Sequence, residues 1–309
     1  MARLFYFLFV APLSHLPLCI LYRISDLLYI LLITIIPYRK KVIEENILRS
    51  FPELDKSERT KLKRDFYRHF ADILIEGVKN LSISKVELEK RMILKNPEIM
   101  KDLFEKNKNV ILVSGHFNNW EWLITAQSFL IPHKAFGIGM PLTNQFWDKK
   151  LMERRSRFGM SVIHSKNYKS ELMNYTKKPF AVLTLSDQAP GDSTKSYWTD
   201  FLNQKTPVSF GTEFMANEFD LAVVYFTIHK VKRGYYSLEL KLLSDKPKTL
   251  DYGYLTSAYT TLLEKDILLN PSHWLWSHKR WKREIPENLE ILKEQQKEQF
   301  DKRFRSQAK

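Results

Sequence analysis

The run NVILVSGHFNNWEWL, residues 109–123, passes from an unbroken apolar stretch through a glycine to His116, and five positions later reaches Glu121 between two tryptophans. Four aliphatic residues in a row at 110–113 suit a strand buried on both faces. The residues that follow suit the start of a helix, with Asn118 or Asn119 as its cap. Strand, short loop and helix together open a βαβ unit, which makes the fold α/β. His116 then stands in the loop at the strand's carboxyl end, where open α/β sheets hold their ligands.

The rest of the chain agrees with that reading. Apolar runs at 181–185 and 221–228 read as further buried strands, and 120–130, 145–157 and 211–217 as helices among them. Segments 225–229 and 235–243, joined through 230–234, read as a hairpin, so the sheet is mixed and flanked by helices. Upstream, Asp55 and Glu58 have capping-box spacing, and Leu62, Phe66, Phe70, Ile73, Leu74 and Val78 recur at helical intervals. Lys61, Lys63, Arg64 and Arg68 fall on the solvated or headgroup-facing side of that helix.

Residues 4–38 are almost wholly apolar, broken chiefly by His15, Arg23, Ser25 and Asp26, and they end at the basic run Arg39, Lys40, Lys41. A spanning helix needs about 20 apolar residues. The pieces 4–22 and 27–37 are marginal and too short respectively, and Pro12 and Pro17 weaken the first. Arg3 is the only charge before the apolar run, and no small-residue cleavage pattern follows, which argues against a cleaved signal. Residues 1–41 are therefore expected to form a hydrophobic helical membrane anchor, with the basic run on the cytoplasmic side. The main domain is expected over 42–286, and a charged helical tail over 287–309.

The formal charge of +14 across 309 residues implies anionic company: nucleic acid, an acidic lipid surface or an acidic carrier protein. Cys19 is the single cysteine, so neither an internal disulfide nor a cysteine zinc cluster is available.

Residues five apart on one helix point about 140° away from each other, so His116 and Glu121 cooperate only if the histidine precedes the helix and the acid folds back from its first turn. The carboxylate would then hold one ring nitrogen and leave the other to take a proton from a hydroxyl. The helix start adds N–H groups for a phosphate or an oxyanion. The bare spacing carries no weight, since chance supplies about one His with an acid five places on in such a chain. The strand, glycine and capped helix around it give it meaning.

These residues resemble a family. SGHFNNWEW (114–122) is similar to the His-x4-acid block of membrane glycerolipid and lipid A acyltransferases, and its Trp-Glu form to the late acyltransferases of lipid A biosynthesis. RRSRFGMSVI (154–163), LSDQAP (185–190), WTDFLNQKTPVSFGTEFMA (198–216) and PSHWLWSHKRWK (271–282) resemble further blocks of that family in the same order, and ENILRSFPEL (45–54) after the anchor also fits. Asn118 stands where the family usually has glycine, which implies a positive φ.

The resemblance implies an O-acyltransferase of the cytoplasmic face of the inner membrane. It would move a fatty acyl chain from an acyl carrier protein or coenzyme A thioester to a hydroxyl of a lipid A precursor or related membrane lipid, with no cofactor and no metal. His116 would be the general base and Glu121 its partner. Arg157, with Arg155 beside it, would bind an acceptor phosphate, Asp187 would orient the acceptor or an arginine, and Gln188 and Asn119 would complete the substrate contacts. The expected partners are the thioester carrier, the lipid acceptor and an anionic membrane surface.

Two other readings stand beside this one. The same chemistry could serve a lysophospholipid or aminolipid, or the chain could be a non-catalytic basic protein adhering to anionic membranes or nucleic acid. Trp274, Trp276 and Trp281, interleaved with His278, Lys279, Arg280, Lys282 and Arg283, admit stacking on nucleic acid, interfacial anchoring or packing near the site. The apolar N-terminus favours the last two over nucleic acid.

Overall fold

The computed structural model describes residues 1–305 of the chain. Its centre is a seven-stranded mixed sheet with strands in the order β1-β9-β8-β2-β5-β3-β4, formed by β1 (Met92–Leu94), β2 (Val110–Ser114), β3 (Lys134–Gly139), β4 (Ser161–His164), β5 (Phe180–Leu185), β8 (Ala222–Lys232) and β9 (Tyr235–Ser244). An antiparallel hairpin of β6 (Tyr197–Phe201) and β7 (Gln204–Val208) lies apart from it. β8, β2, β5, β3 and β4 run parallel, and β9 turns back against β8.

The sequence of β2 explains its central place. All five of its residues are buried; Ile111 and Val113 join the apolar cluster on one face of the sheet, and Val110 and Leu112 the cluster on the other. A strand covered on both sides needs an uninterrupted apolar run. The helices Trp120–Leu130, Gln145–Ser156 and Gly211–Phe219 and the β8–β9 hairpin form where the sequence places them. The helix Lys56–Lys79 starts with a full capping box between Asp55 and Glu58. At the other end, the helix Leu289–Phe304 packs its Phe300 against Phe210 and Tyr252.

The N-terminal segment breaks at Pro17 into two short helices joined by a π-helical turn over Tyr6–Val10, followed by the helix Leu18–Thr34. No described helix is long and apolar enough to cross a membrane. Leu4, Phe5, Phe7, Leu8 and Phe9 leave their side chains exposed, as do Leu27, Ile30 and Leu31 further on.

The other side of Leu18–Thr34 is built into the protein. Leu21 is fully buried, Ser25 Oγ donates to Asp72 at 2.7 Å, and Tyr22 Oη donates to Glu76 Oε1 at 2.7 Å. Glu76, fully buried, also accepts from Tyr236 Oη at 2.7 Å and from Asn119 Nδ2 at 2.5 Å. One carboxylate thereby joins the N-terminal helix, the sheet and the loop that carries His116.

Burial pushes the Glu76 carboxyl up to about 7 from an ordinary 4.5, although the hydrogen bonds from Tyr236 and Tyr22 pull it down. Between those values the folded chain holds a proton that the unfolded chain has lost, so this group's contribution to stability declines as pH rises through the window. Glu76→Gln should remove that dependence. The stability of the wild type relative to the variant, followed by chemical denaturation from pH 4.5 to 7, should fall by up to about 1.4 kcal/mol per pH unit. A constant difference would contradict the raised value.

Candidate active site

β2 and β5 pair in parallel with Ser114 opposite Leu185, and Ser186 N–H donates to Ser114 O at 2.9 Å. Each strand ends there, and two residues further on each chain presents a functional side chain, His116 from one and Asp187 from the other. The register brings the two loops side by side. His116 Nδ1 lies 2.6 Å from Asp187 Oδ1, and the His116 backbone N–H donates to Asp187 Oδ2 at 2.9 Å. Trp274 Nε1–H donates to the same Oδ2 at 2.8 Å.

Gly115 makes this approach possible. A β-carbon on it would lie 2.7 Å from Leu263 Cδ2 and 2.9 Å from Asp187 Cγ, inside the contact distance of both. Asn118 takes φ +53°, the left-handed conformation expected of it, and its Nδ2 donates to Ile228 O. The segment after His273 closes the loop from the other side: Asn118 N–H donates to His273 O, and Leu275 N–H donates to His116 O.

Burial pushes the Asp187 carboxyl up, but the neighbouring imidazole and the hydrogen bonds from His116 and Trp274 outweigh it and hold the group at about 2. An ionised carboxylate only accepts hydrogen bonds, so His116 Nδ1 must carry the hydrogen. Nε2 is then the ring's acceptor. The Gln188 amide nitrogen stands 3.4 Å from it, and the Trp120 ring meets the imidazole edge-on at 5.1 Å between centroids.

Glu121 does something other than hold the ring. Its Oε1 accepts from Arg155 Nη2 at 2.5 Å, and its Oε2 accepts from Arg154 Nη2 at 2.5 Å. Burial raises this carboxyl, and the two guanidinium charges overcome that to bring it down to about 2. The side chain leaves the first turn of Trp120–Leu130 toward the helix Gln145–Ser156, whose last turn supplies both arginines. The expected fold-back toward the imidazole is thus corrected: the carboxylate on the ring is Asp187.

Three other expectations change as well. Arg157 spends Nη1 on Asn80 O at 2.7 Å and Nη2 on Ile83 O at 2.9 Å, so it braces the turn after the long helix rather than offering its fork to a phosphate. Asn119 is fully buried; its Oδ1 caps the helix through Trp122 N–H at 2.9 Å and its Nδ2 goes to Glu76, so it has no amide group left for substrate. That internal cap also occupies an N–H that the helix start was expected to give to an anion.

Arg155 and Gln188 remain at the site. With His116 they line a chamber of about 360 Å³ whose walls include Ile124, Gly137, Met160 and Leu183. Trp274 and Trp276 are buried, with ring centroids 4.7 Å apart, so this part of the closing block packs behind the site. His278 Nε2 accepts the Ala189 N–H at 3.0 Å and steadies the loop after Asp187. Sequence reasoning gave Arg154 no role of its own and read Trp274 and His278 only within a cluster for which packing near the site was one option. The one available signal was the equal offset of His116 and Asp187 from the ends of two apolar runs.

Parallel strands of a mixed sheet with a carboxylate-held histidine at their carboxyl edge, opening on a chamber walled mostly by apolar side chains, define a candidate active site. Residues 2–283 match the family described as bacterial lipid A biosynthesis acyltransferase, and the chain belongs to it. It is an O-acyltransferase. Among its relatives, the lipid A biosynthesis lauroyltransferase of Escherichia coli (strain K12) is 22% identical over 273 residues, 87% of each chain. The lipid A biosynthesis palmitoleoyltransferase of the same organism is 22% identical over 246 residues, 79% of each.

Asp187→Asn should lower kcat for acyl transfer by about a hundredfold or more, because an amide cannot fix the tautomer and accept all three donors. Glu121→Gln should cost less in kcat and act mainly through KM, since it loosens Arg154 and Arg155 rather than the ring. Steady-state kinetics on folded variants checks both. An Asp187→Asn enzyme within about threefold of wild type would remove this carboxylate from the site.

Proposed function

We propose that this enzyme transfers a fatty acyl chain from an acyl thioester, carried by acyl carrier protein or coenzyme A, to a hydroxyl of a lipid A precursor. The observation that carries the reading is the His116 ring, spent on Asp187 at Nδ1 and opening beside Gln188 on an apolar chamber. The names of the relatives support the acceptor class.

His116 Nε2 takes the proton of the acceptor hydroxyl as its oxygen attacks the thioester carbonyl. The tetrahedral intermediate then expels the thiolate, which recovers the proton from the imidazolium. Asp187 stabilises the transient charge and holds the ring in place throughout. General base catalysis supplies about 10² to 10⁴-fold, and alignment of the two substrates supplies much of the rest. Arg155, fixed by Glu121, presents its charge at the chamber wall, where it suits a phosphate or the developing oxyanion.

The exposed apolar side chains of Leu4, Phe5, Phe7, Leu8 and Phe9 support attachment to a membrane surface, which in this reading is the cytoplasmic face of the inner membrane. Because Leu21, Tyr22 and Ser25 are built into the protein, the apolar leader cannot be removed as a whole without opening the core.

His116→Ala should abolish transfer from acyl thioesters to a lipid A precursor while leaving membrane fractionation unchanged, as read by mass spectrometry of the product lipid and by sedimentation. Near-full turnover in this variant would exclude the mechanism. Acylation by the wild type of a lysophospholipid in preference to the lipid A precursor would replace the acceptor.

A further inference from the structure

Two apolar clefts meet near the site and share Leu142 and Leu151. One, of about 450 Å³, runs between the N-terminal segment and the long helix, and reaches Glu121 and Arg154. The other is the chamber that contains His116. A carbonyl under attack beside His116 Nε2 must lie in the second, and the chain attached to it runs along whatever continues from there.

The chamber continues along one face of the sheet. Leu185 and Gly139 stand at its rim, and Leu183 and Gly137, each two residues back along β5 and β3, lie about 7 Å deeper at a strand's rise. Leu183 is opposite Gly137 in the strand register, as is Val162 on the other side. Ile124 covers this row from the helix, and both Ile124 and Leu183 are buried.

At the deep end the space is taken by Met160, 4% exposed. Its Cε lies where glycine leaves room: a β-carbon on Gly137 would be 2.1 Å from that methyl. The methionine therefore depends on Gly137 for its seat, and it blocks the line a chain would follow past Leu183.

Resting on the proposed function, we infer that Met160, seated over Gly137, sets the length of the acyl chain this enzyme transfers. A chain that reaches the methionine is held along its length by apolar walls. A longer one must displace a buried side chain or leave its carbonyl short of His116. Methionine is unbranched and adaptable, so the limit is graded: activity declines over several carbons rather than stopping at one.

The test uses the full-length enzyme in detergent with saturated acyl thioesters from eight to eighteen carbons, reading kcat/KM for each by mass spectrometry of the acylated lipid. Wild type should show one maximum, with a loss of roughly tenfold or more per two methylenes beyond it. Met160→Ala removes three heavy atoms and should move the maximum to chains about two to four carbons longer. Gly137→Ala drives the methionine's end toward the chamber and should move it shorter. In the double variant Gly137→Ala/Met160→Ala the colliding methyl is gone, and the maximum should return toward or beyond that of wild type.

The two single substitutions move the profile in opposite directions, so either one, if folded by circular dichroism and thermal melting, decides the matter alone. Unchanged length profiles in folded variants that still transfer would overturn the role of Met160 and leave the proposed function standing. A wild type that transfers no chain of any length would overturn the proposed function, and this inference with it.

Discussion

The parallel register between β2 and β5 is the constraint on which the rest depends. It turns a sequence separation of 71 residues into a 2.6 Å contact, because His116 and Asp187 follow paired strand ends by the same number of residues. A slip of either strand by one residue would turn its functional side chain away from the other's. The long apolar runs of β2 and β5 fix that register, so core packing and catalytic geometry are set by the same side chains. Gly115 and Asn118 serve the same end by letting the loop bend closely enough for Asp187 to reach the ring.

The two buried carboxylates divide the work that one was expected to do. Asp187 takes the imidazole and the Trp274 indole, and Glu121 takes two guanidinium groups. Each is held at about 2 against its own burial, so both stay ionised across the physiological range. The result is two separate pairings, indole and imidazole on one carboxylate and two arginines on the other, with His116 and Arg155 both lining the chamber.

How much of this was legible in the sequence follows from what was local. Val110–Ser114, the helix Trp120–Leu130 and the capping box of Asp55 and Glu58 show because apolar period and cap chemistry act over a few residues. His116 shows for the same reason. Its carboxylate does not, since the neighbour in sequence is Glu121 and the neighbour in space arrives with another strand. β3 escaped notice because Gly137 and Gly139 dilute its strand pattern; the same glycines widen the chamber. Arg154 and Arg157, three positions apart, exchange their expected interest because the first lies within the helix end facing Glu121 and the second lies beyond it.

Glu76 joins a tyrosine of the N-terminal helix to the asparagine that caps the helix behind His116. The greasy leader is thus no interchangeable tether. A generic anchor that replaces only the residues before Pro17 keeps the Tyr22–Glu76 bond, whereas one spliced on at residue 41 in place of the native leader strips a hydroxyl from a buried carboxyl group. The seam between modules, for anyone recombining such enzymes, lies inside the apolar stretch and not at its basic border.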